Sequence, residues 1–243
     1  MKGWIPLFLG LVLATASCSH HAHWAYEGAE GPSSWGDLDA GYATCKSGQA
    51  QSPINITGAK SATLPTLAID YKDSAVKVVN NGHTIKASYD KGSSLTIDGQ
   101  TFNLLQFHFH APSENNINGK AFATEIHFVH ADAKGNLAVL AVMVKEGAKN
   151  AELEKVFAAM PKVAGKTMKG DGMINGNNLL PTNKAYYHFT GSLTTPPCSE
   201  GVSWNVLQTP ITASADQIKS FTDLYSGNNR PVMPLNGRDI TKD

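Results

Sequence analysis

The sequence predicts an α+β, sheet-dominated fold: a single domain with a large, mainly antiparallel, twisted central β-sheet and short peripheral helices. Three observations carry that expectation. Short runs rich in Val, Ile, Thr and Phe place apolar residues near every second position, the period of a strand with one face in the core. Turn signals separate these runs by only a few residues, and the long helical crossovers that parallel strands require are missing. A helical period appears in just two short stretches. With 243 residues, 42% hydrophobic and 16% charged, and no internal repeat or linker, the chain can bury one sizeable core and is neither disordered nor a coiled coil.

In chain order, Met1-Lys2-Gly3-Trp4, the apolar run from Ile5 to Ala14 and the small residues Thr15-Ala16-Ser17 have the form of a signal peptide over 1–17. The run is too short to span a bilayer. Cleavage is expected between 16 and 22, ahead of a domain over 23–243. Ala14-Thr15-Ala16 suits a signal peptidase, while Cys18 opens the alternative of a bacterial lipoprotein. The expected location is therefore the periplasm or the medium of a bacterium, with membrane attachment only if Cys18 is lipidated. His20, His21 and His23 fall in the linker that follows, which explains them without a metal. Lys+Arg 20 balances Asp+Glu 20 with no long run of either sign. There is thus no footprint for nucleic acid or an anionic membrane, and a small, neutral or exchangeable substrate fits better. Exported thiols tend to pair, and Cys45 and Cys198 remain once Cys18 is removed or lipidated. A bond between them would close about 150 residues, worth at most about 5 kcal/mol on the chain-entropy argument. Two inert buried thiols are the alternative.

Strands are expected from Leu67 to Tyr71, Val76 to Val79 and Thr84 to Ala87, with Asn80-Asn81-Gly82-His83 joining the last two as a hairpin. Ser94 to Ile97 and Thr101 to Leu105 form another hairpin around Asp98-Gly99-Gln100. Leu137 to Val144 is almost continuously apolar, which marks a central strand. One helix should be capped by Asn150 and present Leu153, Val156, Phe157 and Met160 before Pro161 stops it. A second should start at Ser214, whose capping box with Gln217 precedes Ile218, Phe221 and Leu224 or Tyr225, and end near Gly227.

The candidate site is Gln106-Phe107-His108-Phe109-His110, followed by Glu125-Ile126-His127-Phe128-Val129-His130. Strand side chains alternate faces at about 3.3 Å per residue, so His108 and His110 point one way and Phe107 and Phe109 the other. A neighbouring antiparallel strand would bring His127 beside the first two. Three neutral imidazoles with a fourth position open to water is the catalytic zinc arrangement. Half-buried strand histidines with ordinary hydrogen bonds are the bland alternative.

Several metal proteins carry a His-x-His strand, so the surroundings decide. His108-x-His110-x-x-x-Glu114 has the spacing of the first cupin motif, with Glu114 as a fourth ligand. The flanking glycines of that motif are missing: Phe102 stands six before His108, and no Pro-x-Gly precedes His127. Copper-zinc superoxide dismutase needs further His and Asp ligands at spacings absent here, and a zinc protease needs His-Glu-x-x-His on a helix. What does match begins at His23-Trp24-Ala25-Tyr26 with Gly31-Pro32-Ser33-Ser34-Trp35 and continues through Gln51-Ser52-Pro53-Ile54-Asn55-Ile56 and Asn80-Asn81-Gly82-His83. It takes in both histidine strands, then Gly191-Ser192-Leu193-Thr194-Thr195-Pro196-Pro197-Cys198 to Trp204, and Asn228-Asn229-Arg230-Pro231. In that order, over almost all of the mature chain, these segments resemble the α-carbonic anhydrases.

The resemblance implies Zn2+ held by His108, His110 and His127, and the reversible hydration of carbon dioxide to bicarbonate by zinc-bound hydroxide. It implies that Thr194 accepts the hydroxide proton and donates its own to Glu114, which positions rather than abstracts. Gln106 and Glu125 stand two residues before His108 and His127, on the same strand faces, placed to accept ring protons and fix tautomers. Val129, Val139, Leu193, Thr195 and Trp204 fall on the carbon dioxide pocket. His83 falls on the proton shuttle, and Tyr26, Asn81 and Lys86 fall along its water wire. The resemblance also supports a Cys45–Cys198 disulfide, cis bonds at Ser52-Pro53 and Pro196-Pro197, anion and sulfonamide inhibitors, and room for a homodimer. Two departures stand out: Asn115 follows Glu114 where many animal members have His, and Lys86 holds a mouth position often neutral in them. A catalytically silent binding module of the same family is the alternative from another class. Such modules usually lack a zinc histidine, and all three are present here.

Overall fold

The computed structural model describes residues 22–243; the expected signal segment 1–17, Cys18, His20 and His21 lie outside them. The frame is a thirteen-stranded sheet. Its main strands are β1 (Asp73–Asn80), β2 (Ile85–Ser88), β3 (Ser94–Ile97), β4 (Gln100–His110), β5 (Thr124–Ala131), β6 (Leu137–Glu146), β7 (Thr167–Asn175), β8 (Tyr186–Ser192), β9 (Glu200–Leu207) and β10 (Ile211–Ala213). Across the sheet they run β7-β1-β2-β4-β5-β6-β9-β8, with β3 beside β4 and β10 beside β6. From β7 to β6 every pairing is antiparallel, as expected; β6 also pairs in parallel with β9 and β10.

The unbroken apolar run of β6 follows from its position. Leu140, Val142 and Val144 join a core on one face with Phe107, Phe109 and Phe128, while Val139, Ala141 and Met143 join a second core with Phe189, Trp204 and Val206. A strand covered on both faces has no side left for polar residues.

Turn chemistry fixes the hairpins. Asp98 and Gly99 both take positive φ, 47° and 75°, the type I′ pattern that suits a two-residue loop between β3 and β4. Between β1 and β2, Asn81 Oδ1 accepts the His83 and Thr84 N–H groups at 2.9 and 2.8 Å, and Gly82 takes φ 92°. His83 therefore sits on a well-defined turn.

The two helices start where expected and end early. Asn150 Oδ1 caps α1 (Ala151–Ala158), and the Ser214–Gln217 capping box opens α2 (Ala215–Thr222). Met160 lies beyond α1, and Leu224 and Tyr225 lie beyond α2, which ends at Thr222 rather than near Gly227. Tertiary bonds override the periodic pattern: the Tyr225 hydroxyl donates to Asn80 Oδ1, and the Gly227 N–H donates to the Ala111 carbonyl at 2.7 Å. Two four-residue helices, Trp35–Leu38 and Thr44–Ser47, are too short for a period to reveal. They carry Trp35 and Cys45 into a small core with Tyr42 and Cys198. Cys45 and Cys198 are disulfide-bonded with Cα atoms 5.0 Å apart, so the free-thiol alternative falls. Both expected cis bonds are present, with a third at Ala111-Pro112.

One irregularity places the site. In the β4–β5 ladder Leu104 pairs with His130 and Gln106 with Val129, leaving Leu105 as a bulge, 48% exposed. Leu104 faces the first core, and after the bulge Phe107 and Phe109 face it instead. An extra residue inverts the alternation, and this turns Gln106, His108 and His110 to the opposite face.

Candidate metal centre

Directly opposed pairs set Lys86 on β2, His108 on β4, His127 on β5 and Ala141 on β6 in one transverse row. His110 projects two residues beyond His108 on the same face. The three imidazoles each offer a nitrogen, and these lie within 4.8 Å of one another. No acidic or thiol side chain joins the group among the described residues.

Hydrogen bonding shows which nitrogens remain. Gln106 Oε1 takes the His108 Nδ1 proton at 2.9 Å, and the Asn228 carbonyl takes that of His110 Nδ1 at 2.7 Å. Both rings therefore turn Nε2 inward. Glu125 Oε1 lies 3.0 Å from His127 Nε2, though not in line for a full hydrogen bond, which leaves Nδ1 as the inward atom of that ring. Glu114 Oε2 approaches His110 Nε2 at 3.4 Å and His127 Nδ1 at 3.9 Å. His110 Nε2 is buried without a partner, the condition a cation would relieve. Burial, followed by the nearby His110, holds His108 and His127 well below an ordinary imidazole, and burial brings His110 down to about 4. Metal ligation needs these neutral rings. A tetrahedral N-donor ion such as zinc fits this set, with the fourth position open.

Behind the histidines stand two carboxylates. Glu125 is held by the backbone and side-chain N–H groups of Asn115, both at 2.8 Å, and burial raises its pKa. Asn115 thus does the anchoring at the position where the expected family pattern often has His. Glu114 Oε1 accepts the Arg230 N–H at 2.9 Å. Burial pushes Glu114 up to about 8, opposed by the Arg230 amide, by the Thr194 hydroxyl and by the Arg230 charge. The hydroxyl is close enough to favour the ionised form, yet Glu114 Oε2 has no aligned partner. The cupin alternative fails here, because Glu114 is outside the converging group and is engaged by Arg230.

The inward nitrogens open into a cleft of about 240 Å³ whose lining includes Val129, Val139, Leu193, Thr194, Thr195 and Trp204 together with Tyr26, Asn81, His83, Lys86 and Gln106. Every residue assigned to the pocket and water wire is on its wall. The His83 ring stacks on Trp24 at 3.7 Å and 8°, and partial burial, then His23, lowers its pKa. Sequence reasoning assigned no role to Asn228, Arg230 or Trp24. The Asn228-Asn229-Arg230-Pro231 motif was visible, but its reach to His110 and Glu114 spans more than a hundred residues.

The description of the eukaryotic-type carbonic anhydrase family matches residues 30–243. A carbonic anhydrase of Klebsiella pneumoniae is 50% identical over 222 residues, covering 90% of each chain. One from Pectobacterium carotovorum is 45% identical over 242 residues, covering 99% of each. The α-carbonic anhydrase of Thermovibrio ammonificans, solved with the inhibitor sulfanilamide, superposes with a TM-score of 0.88 at 47% identity, over 90% of this chain and 99% of that one. With the three-histidine cleft, these likenesses show that the chain belongs to the α-type carbonic anhydrase family.

Proposed function

We propose that the chain is a zinc enzyme that hydrates carbon dioxide reversibly to bicarbonate and a proton, with His83 carrying the proton away. The observation that supports it most is the set of three converging imidazoles, His110 and His127 buried and His108 half-buried, each with one nitrogen left free, at the floor of a partly apolar cleft. Zinc in such a site brings the pKa of a bound water from 15.7 to about 7, carbonic anhydrase being the standard example of that chemistry.

The chain's own residues do the rest. Val129, Val139, Leu193 and Trp204 give an uncharged, weakly polar substrate an apolar wall beside the ligands. Thr194 would accept a hydrogen bond from the reacting oxygen and donate one to Glu114, which fixes the direction of the attacking lone pair. Glu114 keeps its orientation because the Arg230 amide grips Oε1. Gln106, the Asn228 carbonyl and Glu125 keep the three rings in the required tautomers. With its pKa lowered by partial burial and then by His23, His83 returns an accepted proton to buffer readily. Tyr26, held as a neutral hydroxyl by burial and then by Glu114, can order water between the metal and His83. Sulfonamides and small anions are the inhibitors this reading expects. The signal-like segment 1–17 supports export to the periplasm or medium.

Stopped-flow hydration of carbon dioxide before and after zinc chelation is the test, and activity that survives chelation would overturn the reading. His83→Ala should slow turnover in dilute buffer by about tenfold or more, and added imidazole should restore it.

A further inference from the structure

Among the described residues the cleft wall carries no aspartate or glutamate, and apart from the histidines and Tyr26 its ionisable side chain is Lys86. Lys86 stands directly across the ladder from the ligand His108, so the two side chains leave the sheet on one face about 5 Å apart. Its neighbours Ile85 and Ala87 point into the opposite core, which fixes the direction of the lysine stem. Glu114 and Glu125 lie behind the histidines and are engaged by Arg230 and Asn115. An ammonium in a cleft that apolar Val129, Val139, Leu193 and Trp204 also line acts where field lines are focused rather than screened.

We propose that Lys86 is the anion-selecting residue of the cleft, drawing bicarbonate and other small monoanions to the metal position while leaving carbon dioxide, which carries no charge, unaffected. The inference rests on the hydration reading and adds a division between the two substrates of the reversible reaction. The neutral one is held by the apolar wall, the charged one by Lys86. Its attraction should weaken with ionic strength, since the cleft opens to solvent.

The test is calorimetric titration of the zinc-loaded protein with bicarbonate and, separately, thiocyanate, at low and at physiological salt. Lys86→Met should weaken both by about threefold to tenfold, the range for a charge pair between exposed and partly desolvated, and should flatten the salt dependence. Lys86→Arg, which keeps the charge, should retain most of the affinity. Zinc content and near-ultraviolet circular dichroism confirm an intact site, with Lys86→Gln supplying the same charge removal if the methionine variant loses zinc. Equal affinity and equal salt slope in the charge-removed variant would overturn the proposal. Failure of the hydration reading looks different: the unaltered zinc-loaded protein would not hydrate carbon dioxide at all.

Discussion

Two histidines three residues apart on β5 meet opposite fates. His127 and His130 are both buried, at 2% and 0% exposure, and burial lowers the pKa of both. His130 faces the first core, where Nε2 meets the Tyr71 hydroxyl at 2.8 Å and Nδ1 the Ala138 carbonyl at 3.2 Å. His127 faces the cleft with Nδ1 free. Burial and neutrality therefore do not mark a ligand; an imidazole with one nitrogen unspent, aimed where two others are aimed, does.

The largest effect that can break this contrast is loss of an unspent nitrogen. His110→Ala should weaken zinc by about 10²- to 10³-fold, taking 10–16 kcal/mol as spread over four ligands, and remove hydration with it. Chelator competition measures the first, and retained nanomolar zinc would deny His110 its role. Acid should act on the satisfied histidine too. His130 has a folded pKa of about 4 against about 6.5 unfolded, so the unfolded chain binds the extra proton between these values. Stability is then fully present above pH 6.5 and falls as pH drops toward 4, by at most about 3 kcal/mol for this group. Urea midpoints of metal-free protein should show a shallower acid limb in His130→Phe than in the parent.

Tyr71→Phe sharpens the comparison by freeing His130 Nε2. It should cost about 1–3 kcal/mol for a buried group left unpaired and create no zinc site, because no metal-ligating group among the described residues includes His130. A second equivalent of bound zinc would show that one freed imidazole suffices without convergence. The smallest effect is expected at Asn115→Asp, which removes the donor to Glu125 Oε1. Zinc affinity should fall by about tenfold, the lower end for groups that orient ligands, with circular dichroism unchanged; no change in chelator competition would reduce Asn115 to packing.

Much of the site could be read from residues near one another in the chain. His108 and His110 share a face by strand alternation, and Gln106 reaches His108 within the same strand. The turns at Gly82 and Asp98-Gly99 follow from the positive φ those residues tolerate, and Asn81 adds a side-chain oxygen that accepts the next N–H groups. The helix ends were less legible, because Tyr225 and Gly227 answer to Asn80 and Ala111 rather than to their own periodicity. The β4 bulge left only a trace: apolar residues at 102, 104 and 105 change phase before 107 and 109.

The sequence alone was enough for the grouping of His108, His110 and His127, the turns, the capped helix starts and the family, since these rest on contacts within a few residues or on motifs kept in order. Only the tertiary structure decided which face the histidines occupy and which nitrogen of each ring is free. The first depends on a one-residue bulge opposite Val129 and His130. The second depends on partners such as Asn228, 118 positions from His110, whose approach is set by packing of the whole sheet and has no signature in local periodicity.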